Sequence, residues 1–211
     1  MRLEKNLNCI GGKKMQINLE NVKTLIMGIQ GSGKTYFTKE MVLQFKMPVW
    51  YLVNLDDLQG MKNKINVYTA KKKDFVELNN FIASILRDKK RGKGTFANCD
   101  CIVIDEADYL VPKTVQDLQK FNAMYDLFIN HRHYKIAVIF LTRRPQDLNP
   151  LIVESCEHKF IFALETSDNV YRKMNSIDSN LIPLMRELTK ESHKFIYKQT
   201  GHSPVLMNAI K

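Results

Sequence analysis

Glycines at 28, 31 and 33 lead into Lys34 and Thr35, and the whole stretch Gly28-Ile29-Gln30-Gly31-Ser32-Gly33-Lys34-Thr35 fits the pattern G-x-x-x-x-G-K-[ST]. Glycine lets the backbone turn successive N–H groups inward around phosphate oxygens, and a helix N-terminus just beyond adds partial positive charge. In such a loop Lys34 reaches the β- and γ-phosphates of a nucleoside triphosphate, and the Thr35 hydroxyl sits on Mg2+. Gln30, Ser32 and Tyr36 fall among the remaining positions expected to contact the nucleotide. A glycine-rich turn is the plain alternative. Against it stands the context: the pattern follows the apolar run Leu25-Ile26-Met27 and opens an amphipathic segment, as phosphate binding requires.

Cys101-Ile102-Val103-Ile104-Asp105-Glu106 supplies a second half, an apolar strand that ends in two carboxylates. Asp105, at the strand's C-terminal edge, would hold magnesium through water beside Thr35, and Glu106 would orient or deprotonate the attacking water. An acidic pair after a strand can also serve only to cap the next helix. Beside an intact phosphate loop, the catalytic reading is the stronger one. The tetrapeptide Asp105-Glu106-Ala107-Asp108 also spells the box of the DEAD helicases, but those enzymes need two tandem RecA-like domains and 211 residues leave room for one.

These residues need elements to position them. Leu25–Met27, Pro48–Val53, Ile65–Tyr68, Cys101–Ile104, Ile136–Leu141 and His158–Leu164 read as strands, with edge strands expected at Lys194–Tyr197 and Val205–Met207. Helices are expected from Lys34 to about Phe45, over Asp74–Leu86, Thr114–Arg132, Thr166–Met174 and Leu181–Leu188. Alternation of helices with strands that are apolar on both faces predicts an α/β fold with a mainly parallel sheet covered on both sides.

The chain is long enough for one domain with a real core, and 45% of its residues are hydrophobic. Residues 1–14 are polar, contain Gly11-Gly12, and are expected to form a flexible arm ahead of an ATPase domain over 15–211; Met15 is a second candidate start. The longest apolar run, Ile136–Leu141, is far short of the roughly 20 residues of a spanning helix, so the expectation is a cytoplasmic chain without a membrane span. Cys9, Cys99, Cys101 and Cys156 show no disulfide framework and read as reduced thiols. The one metal alternative pairs Cys99 and Cys101 with His131 and His133. A net charge of +10 and a pI near 9.4 favour an acidic partner, nucleic acid first, and Lys71–Lys73 with Lys89–Lys93 are candidate DNA-facing loops.

From Asp105 onward the sequence resembles the FtsK/HerA superfamily of P-loop ATPases, and most closely the small genome-packaging ATPases of membrane-containing and archaeal viruses. The resemblance rests on Ile104-Asp105-Glu106-Ala107, Asn130-His131-Arg132-His133, Ile139-Phe140-Leu141-Thr142-Arg143-Arg144-Pro145 and Asp147-Leu148-Asn149-Pro150. With the phosphate loop it covers about residues 22–165. It implies a RecA-like (ASCE) sheet in which one further strand lies between the strand that leads into Gly28–Thr35 (Walker A) and the strand that ends at Asp105-Glu106 (Walker B), with ATP and Mg2+ as cofactors.

In that family the strand after the Asp105-Glu106 motif usually ends in Thr-Gln-Arg, whose polar residue senses the γ-phosphate; here the corresponding triplet is Thr142-Arg143-Arg144. Either Thr142 senses alone or Arg143 contributes charge directly. The family also acts as rings, hexamers or pentamers, in which an arginine of one subunit reaches the nucleotide of the next. Arg132 matches the family's basic position, and Arg143 and Arg144 are its rivals. Arg132 and Lys135 would otherwise merely complement a helix dipole. The implied function is ATP-driven translocation of double-stranded DNA without sequence preference, in packaging with a capsid or portal-type partner. Two other readings stay open: a plasmid, conjugation or replication ATPase of the same superfamily, and an ATP-switched assembly protein or helicase loader that does not translocate.

Overall fold

The computed structural model describes residues 4–8, 14–52, 65–69 and 74–210. Strands β1 (Glu4–Asn8) and β2 (Lys14–Asn18) pair antiparallel, with Glu4 opposite Asn18 and Asn8 opposite Lys14. The segment over which polar composition suggested a flexible arm contributes β1 to this pair, and residues 9–13 lie outside the described residues. The chain then runs through β3 (Lys23–Met27), α1 (Lys34–Val42), β4 (Pro48–Leu52), β5 (Asn66–Thr69), α2 (Phe75–Arg91) and β6 (Cys101–Ile104). Three short helices follow: α3 (Ala107–Leu110), α4 (Val115–Gln119) and α5 (Asn122–Asn130). β7 (Ala137–Thr142), α6 (Pro150–Ser155), β8 (His158–Ile161), α7 (Asp168–Ile177), α8 (Leu181–Met185), β9 (Phe195–Gln199) and β10 (Val205–Met207) complete it.

Eight strands form one sheet in the order β10-β9-β8-β3-β7-β6-β4-β5. The six from β8 to β5 are parallel, and β9 and β10 add an antiparallel edge. β7 lies between β3, which leads into the phosphate loop, and β6, which ends at Asp105, so the expected intervening strand is in place. This is the RecA-like P-loop arrangement.

Neighbouring residues of a strand point to opposite faces, and both faces are covered, which is why every residue of β3, β4, β6 and β7 is buried. Leu25, Met27, Ile102 and Ile104 pack with α2, α5, α6 and α7 on one side; Ile26, Val103, Ile139 and Leu141 pack with α1 on the other.

Two helix expectations change. The segment expected as one helix over Thr114–Arg132 is two, because Thr114 caps α4 while the Asn79 side chain, on α2, accepts from the Ala123 and Met124 amides at 3.0 and 3.2 Å and caps α5. Lys89–Arg91, expected in a loop, form the last turn of α2, which Gly92 ends in the left-handed region at φ 63°. Lys71–Lys73 lie outside the described residues.

His131 and His158 are buried, and His158 Nδ1 lies 2.8 Å from the Tyr197 hydroxyl. Burial holds His131 down at about 4, with Lys23 and Arg132 acting the same way, and burial does the same to His158 at about 4. The unfolded chain protonates each ring near 6.5 while the folded chain resists until about 4, so this contribution to stability is complete above pH 6.5 and is lost as pH falls toward 4. Denaturant midpoints should therefore drop between pH 6.5 and pH 4.5. His158→Gln should flatten that dependence by about 1.4 kcal/mol per pH unit; an unchanged slope in the variant would count against the buried neutral imidazole.

Candidate active site

The phosphate loop is pinned on two sides. The Gly28 amide donates to the Thr142 carbonyl at the end of β7 (3.1 Å), and the Ile29 amide donates to the Ala163 carbonyl beyond β8 (2.8 Å). At Gly28 a side chain has no room, since a Cβ would sit 2.7 Å from both Phe162 Cβ and Ser32 Oγ. Gly33, the residue just before α1, has φ 101°, a conformation that side chains oppose. α1 is then held by Phe37, whose ring packs against Phe160, Phe162 and Phe195 at centroid distances of 4.7, 5.4 and 4.9 Å.

Lys34 and Thr35 stand in the first turn of this anchored helix. Lys34 is 7% exposed, and its ammonium donates to the Ile29 carbonyl within the loop at 2.9 Å. The Ser32 hydroxyl is buried and has no hydrogen-bond partner among the described residues. A buried, unpartnered hydroxyl within this loop would be satisfied by a phosphate oxygen.

β6 delivers the acidic half. The Asp105 amide donates to the Tyr51 carbonyl at 3.0 Å, extending the strand pairing, and an Asp105 carboxylate oxygen accepts from the Glu106 amide at 2.9 Å. Burial pushes the Asp105 carboxyl up to about 6, against the pull of that amide and of the Lys34 ammonium. Glu106 is in the left-handed region at φ 52°, an uncommon conformation for a side chain of its size, and begins α3. Its sharp turn aims the carboxylate into the same cleft of about 270 Å3 that Gly31, Gly33, Lys34, Thr35 and Asp105 line. No group of three or more His, Cys, Asp or Glu among the described residues is arranged to hold a metal ion. A cation in the cleft would therefore rest on the Thr35 hydroxyl, the Asp105 carboxylate and ligand oxygens, a donor set that fits Mg2+. Cys99 and Cys101 are buried free thiols, and Cys99 donates to the Cys101 carbonyl at 3.5 Å; Cys9 lies outside the described residues.

The three arginine candidates part company. Arg143 reaches across its own cleft, with Nη2 3.5 Å from a Glu106 oxygen and Nη1 donating to the Gln30 side-chain oxygen at 3.5 Å. Arg144 is exposed beside it and does not line the cleft. Arg132 precedes the start of β7, at the opposite edge of the sheet from the phosphate loop, and pairs with Glu157 ahead of β8. Gln30 and Tyr36 line the cleft, and Tyr36 is 53% exposed.

Thr142 also lines the cleft, but it is 1% exposed and doubly bonded: its hydroxyl donates to Asp108 Oδ1 at 2.8 Å and accepts from the Arg144 amide at 3.0 Å. Asp108 has no role in the sequence reading, although it stands in the acidic tetrapeptide. Its pairing joins residues 34 apart and left no local signal.

Residues 24–164 match the model of the ATPase family associated with various cellular activities (AAA). The chain belongs to this family. The AAA ATPase is accordingly an ATP-hydrolysing enzyme. No curated protein sequence matches it. Its fold is similar to that of the genome packaging NTPase B204 from Sulfolobus turreted icosahedral virus 2 in complex with ATP-gammaS, at 19% identity and a TM-score of 0.73, over 90% of this chain and 98% of that one. It is also similar to the pCW3 conjugation coupling protein TcpA (16% identity, TM-score 0.65, all of this chain and 66% of that one). A third similar structure is the cytoplasmic domain of the Thermomonospora curvata type VII secretion ATPase EccC, at 12% identity and a TM-score of 0.74, over 99% of this chain and 28% of that one. These likenesses agree in fold with the FtsK/HerA resemblance. No helix among the described residues is long and apolar enough to cross a membrane.

Thr142→Val keeps the shape of the side chain but removes the side-chain donor that the Asp108 carboxylate receives among the described residues. The variant should lose about 1–3 kcal/mol of stability in urea unfolding. Pairing it with Asp108→Asn should recover part of that loss, because the buried charge is gone; a double variant no better than Thr142→Val alone would contradict the bond's importance.

Proposed function

We propose that this AAA ATPase is a DNA-translocating motor of the kind that packages a viral genome. The observation that carries the reading is the fold match to a genome packaging NTPase over nearly the whole length of both chains. A net charge of +10 adds to it, since translocation needs a sequence-independent hold on a phosphate backbone. Of the basic cluster at the end of α2, Lys89 is already bonded to the Cys99 carbonyl and Lys90 is in a loose ion pair with Asp126 at 3.9 Å, which leaves Arg91 and Lys93 as exposed candidates for that hold.

In the proposed mechanism the loop amides, Lys34 and Ser32 bind the phosphates, and Thr35 with Asp105 would hold magnesium. Mg2+, when bound, neutralises charge that develops on the phosphate oxygens. Glu106 orients water and takes up its proton. Arg143 acts in cis: its guanidinium, beside Glu106 and Gln30, is placed to hold the carboxylate until a triphosphate draws the positive charge away. Thr142 reports the γ-phosphate to Asp108. Arg132, too far along the sheet to serve its own site, is the trans arginine in a ring. A plasmid or conjugation ATPase of the same superfamily is the second reading, favoured by the match of the whole chain to a part of the conjugation coupling protein.

Turnover measured with and without linear double-stranded DNA, alongside particle size in the presence of nucleotide, tests the motor. Stimulation by DNA and growth to a ring-sized particle are expected; turnover indifferent to DNA would point instead to an ATP-switched assembly protein. In the same assay Glu106→Gln should bind ATP and lose about 100-fold or more of its hydrolysis.

Arg132→Ala should bind ATP yet lose about 1,000-fold in turnover. Mixing it with Glu106→Gln should restore activity, because the second variant supplies the missing arginine to an intact neighbouring site. Full activity in pure Arg132→Ala would remove Arg132 from the trans role.

A further inference from the structure

At the edge of the sheet opposite the phosphate loop lies a hollow of about 610 Å3. Its lining comes from the chain just ahead of four parallel strands: Glu20 before β3, Lys46 before β4, Asp100 before β6 and Lys135 before β7, with Lys89 of α2 beside them. Parallel strands begin at a common edge, which is why segments so far apart in sequence meet there. Three ammonium groups thus converge on one concavity, and no carboxylate among the described residues pairs with any of them. Lys46 and Lys135 are exposed, and the Lys89 ammonium donates to a neutral acceptor, the Cys99 carbonyl, at 2.9 Å. Both oxygens of Asp100 are already engaged, accepting from the Lys46 and Met47 amides at 2.8 and 3.0 Å, and Glu20 is exposed. Like charges that face one space repel unless an anion sits between them.

The Lys135 wall is part of the turn that carries Arg132. The Lys135 amide donates to the Arg132 carbonyl at 3.1 Å, and Lys135 itself is held in the left-handed region at φ 54°. The neighbouring Tyr134 hydroxyl donates to Asp126 of α5, and the Lys90 ammonium lies over the Tyr134 ring, 5.4 Å from its centroid. The end of α2 and the Arg132 turn are therefore tied to each other beside the hollow as well as facing each other across it.

We propose that this hollow is a seat for backbone phosphates of DNA, and that an occupied seat steadies the turn that presents Arg132. The inference rests on the reading of the chain as a DNA motor and adds where the strand is held and how that hold reaches the ATPase site. A small anion would need the hollow alone. The basic surface runs on past it, since Arg91 and Lys93 follow Lys89 along the chain and are exposed, and continuous positive charge fits a long polyanion. Lys46 and Lys135 take phosphate oxygens from opposite walls, contacts that position a strand without reading its sequence. Because Lys135 stands in the Arg132 turn, gripping DNA and offering the arginine to a neighbour draw on the same short segment.

Fluorescence anisotropy of a labelled linear duplex over a series of salt concentrations, with turnover measured with and without the same duplex, tests both halves. Lys46→Gln and Lys135→Gln remove charge and keep side-chain length. Each should weaken the duplex several-fold and lower the slope of log affinity against log salt by about one. Glu20→Gln should tighten it, and Lys135→Arg should bind as the wild type does. Turnover without DNA should be unchanged in Lys46→Gln, and saturating duplex should restore its full stimulation, whereas Lys135→Gln should stay less stimulated even at saturation. Wild-type affinity and slope in both Gln variants, or weaker binding by Glu20→Gln, would overturn the seat. Full stimulation of Lys135→Gln at saturating duplex would overturn its link to Arg132. A wild-type protein that binds no duplex would instead remove the motor reading, and the seat with it.

Discussion

The site depends on how rigidly the junction of β3 and α1 is held. A loop that presents amides to phosphate works only if those amides stay aimed, because a peptide free to rotate would forfeit the preorganisation that makes such a site bind. Three contacts of different kinds prevent rotation here: the Gly28 amide on the end of β7, the Ile29 amide on the chain beyond β8, and Phe37 wedged among three aromatic rings. The Gly28 bond has a second effect. Its acceptor is the carbonyl of Thr142, so the residue whose hydroxyl lines the cleft is tied through its own backbone to the first residue of the phosphate loop. A shift of the loop on binding nucleotide is therefore a shift of the end of β7.

Charge in the cleft is balanced across it. Lys34 and Arg143 stand against Asp105 and Glu106, and Asp105 is buried enough to be held up at about 6. Glutamine at position 143, as in the family pattern, would offer Glu106 a neutral hydrogen bond; arginine offers a full charge. Arg143 and Glu106 are both partly exposed, so the pair contributes little to stability. Its value in the proposed mechanism is kinetic: a carboxylate drawn to a guanidinium is not poised over water, and a triphosphate competes for the same guanidinium.

Much of this was legible in the sequence because phosphate chemistry is local. Gly28 to Thr35 must be contiguous to wrap one phosphate chain, and Asp105-Glu106 must end an apolar strand to reach it, so both left patterns. Strand order left none, since periodicity records which face of a strand is buried and not which strand is its neighbour. The break between α4 and α5 was invisible for a similar reason: the cap is Asn79, on another helix. Asp108 escaped because its partner ends the neighbouring strand β7, 34 residues further along the chain. Arg143 was ambiguous until the fold placed it, because an arginine after a strand can face its own cleft or a neighbour's, and only three-dimensional position separates them.

Placement also gives β7 a part that no motif expresses. Its six residues span about 20 Å, with Arg132 shortly before one end and Thr142-Arg143 at the other. In a ring of the proposed kind, the first end would meet a neighbour's nucleotide while the second senses its own. The strand is buried throughout and bonded on both sides, to β3 and β6, and a close-packed strand transmits displacement rather than absorbing it. If Thr142 senses and Arg132 acts in trans as proposed, nucleotide state at one end of β7 would bias the turn over residues 131–135 that carries Arg132 before the other end, and the ion pair of Arg132 with Glu157 would be the resting position that this displacement breaks. Such coupling would need no hinge within β7, since the proposed sensor ends the strand and the proposed arginine stands in the turn that leads into it.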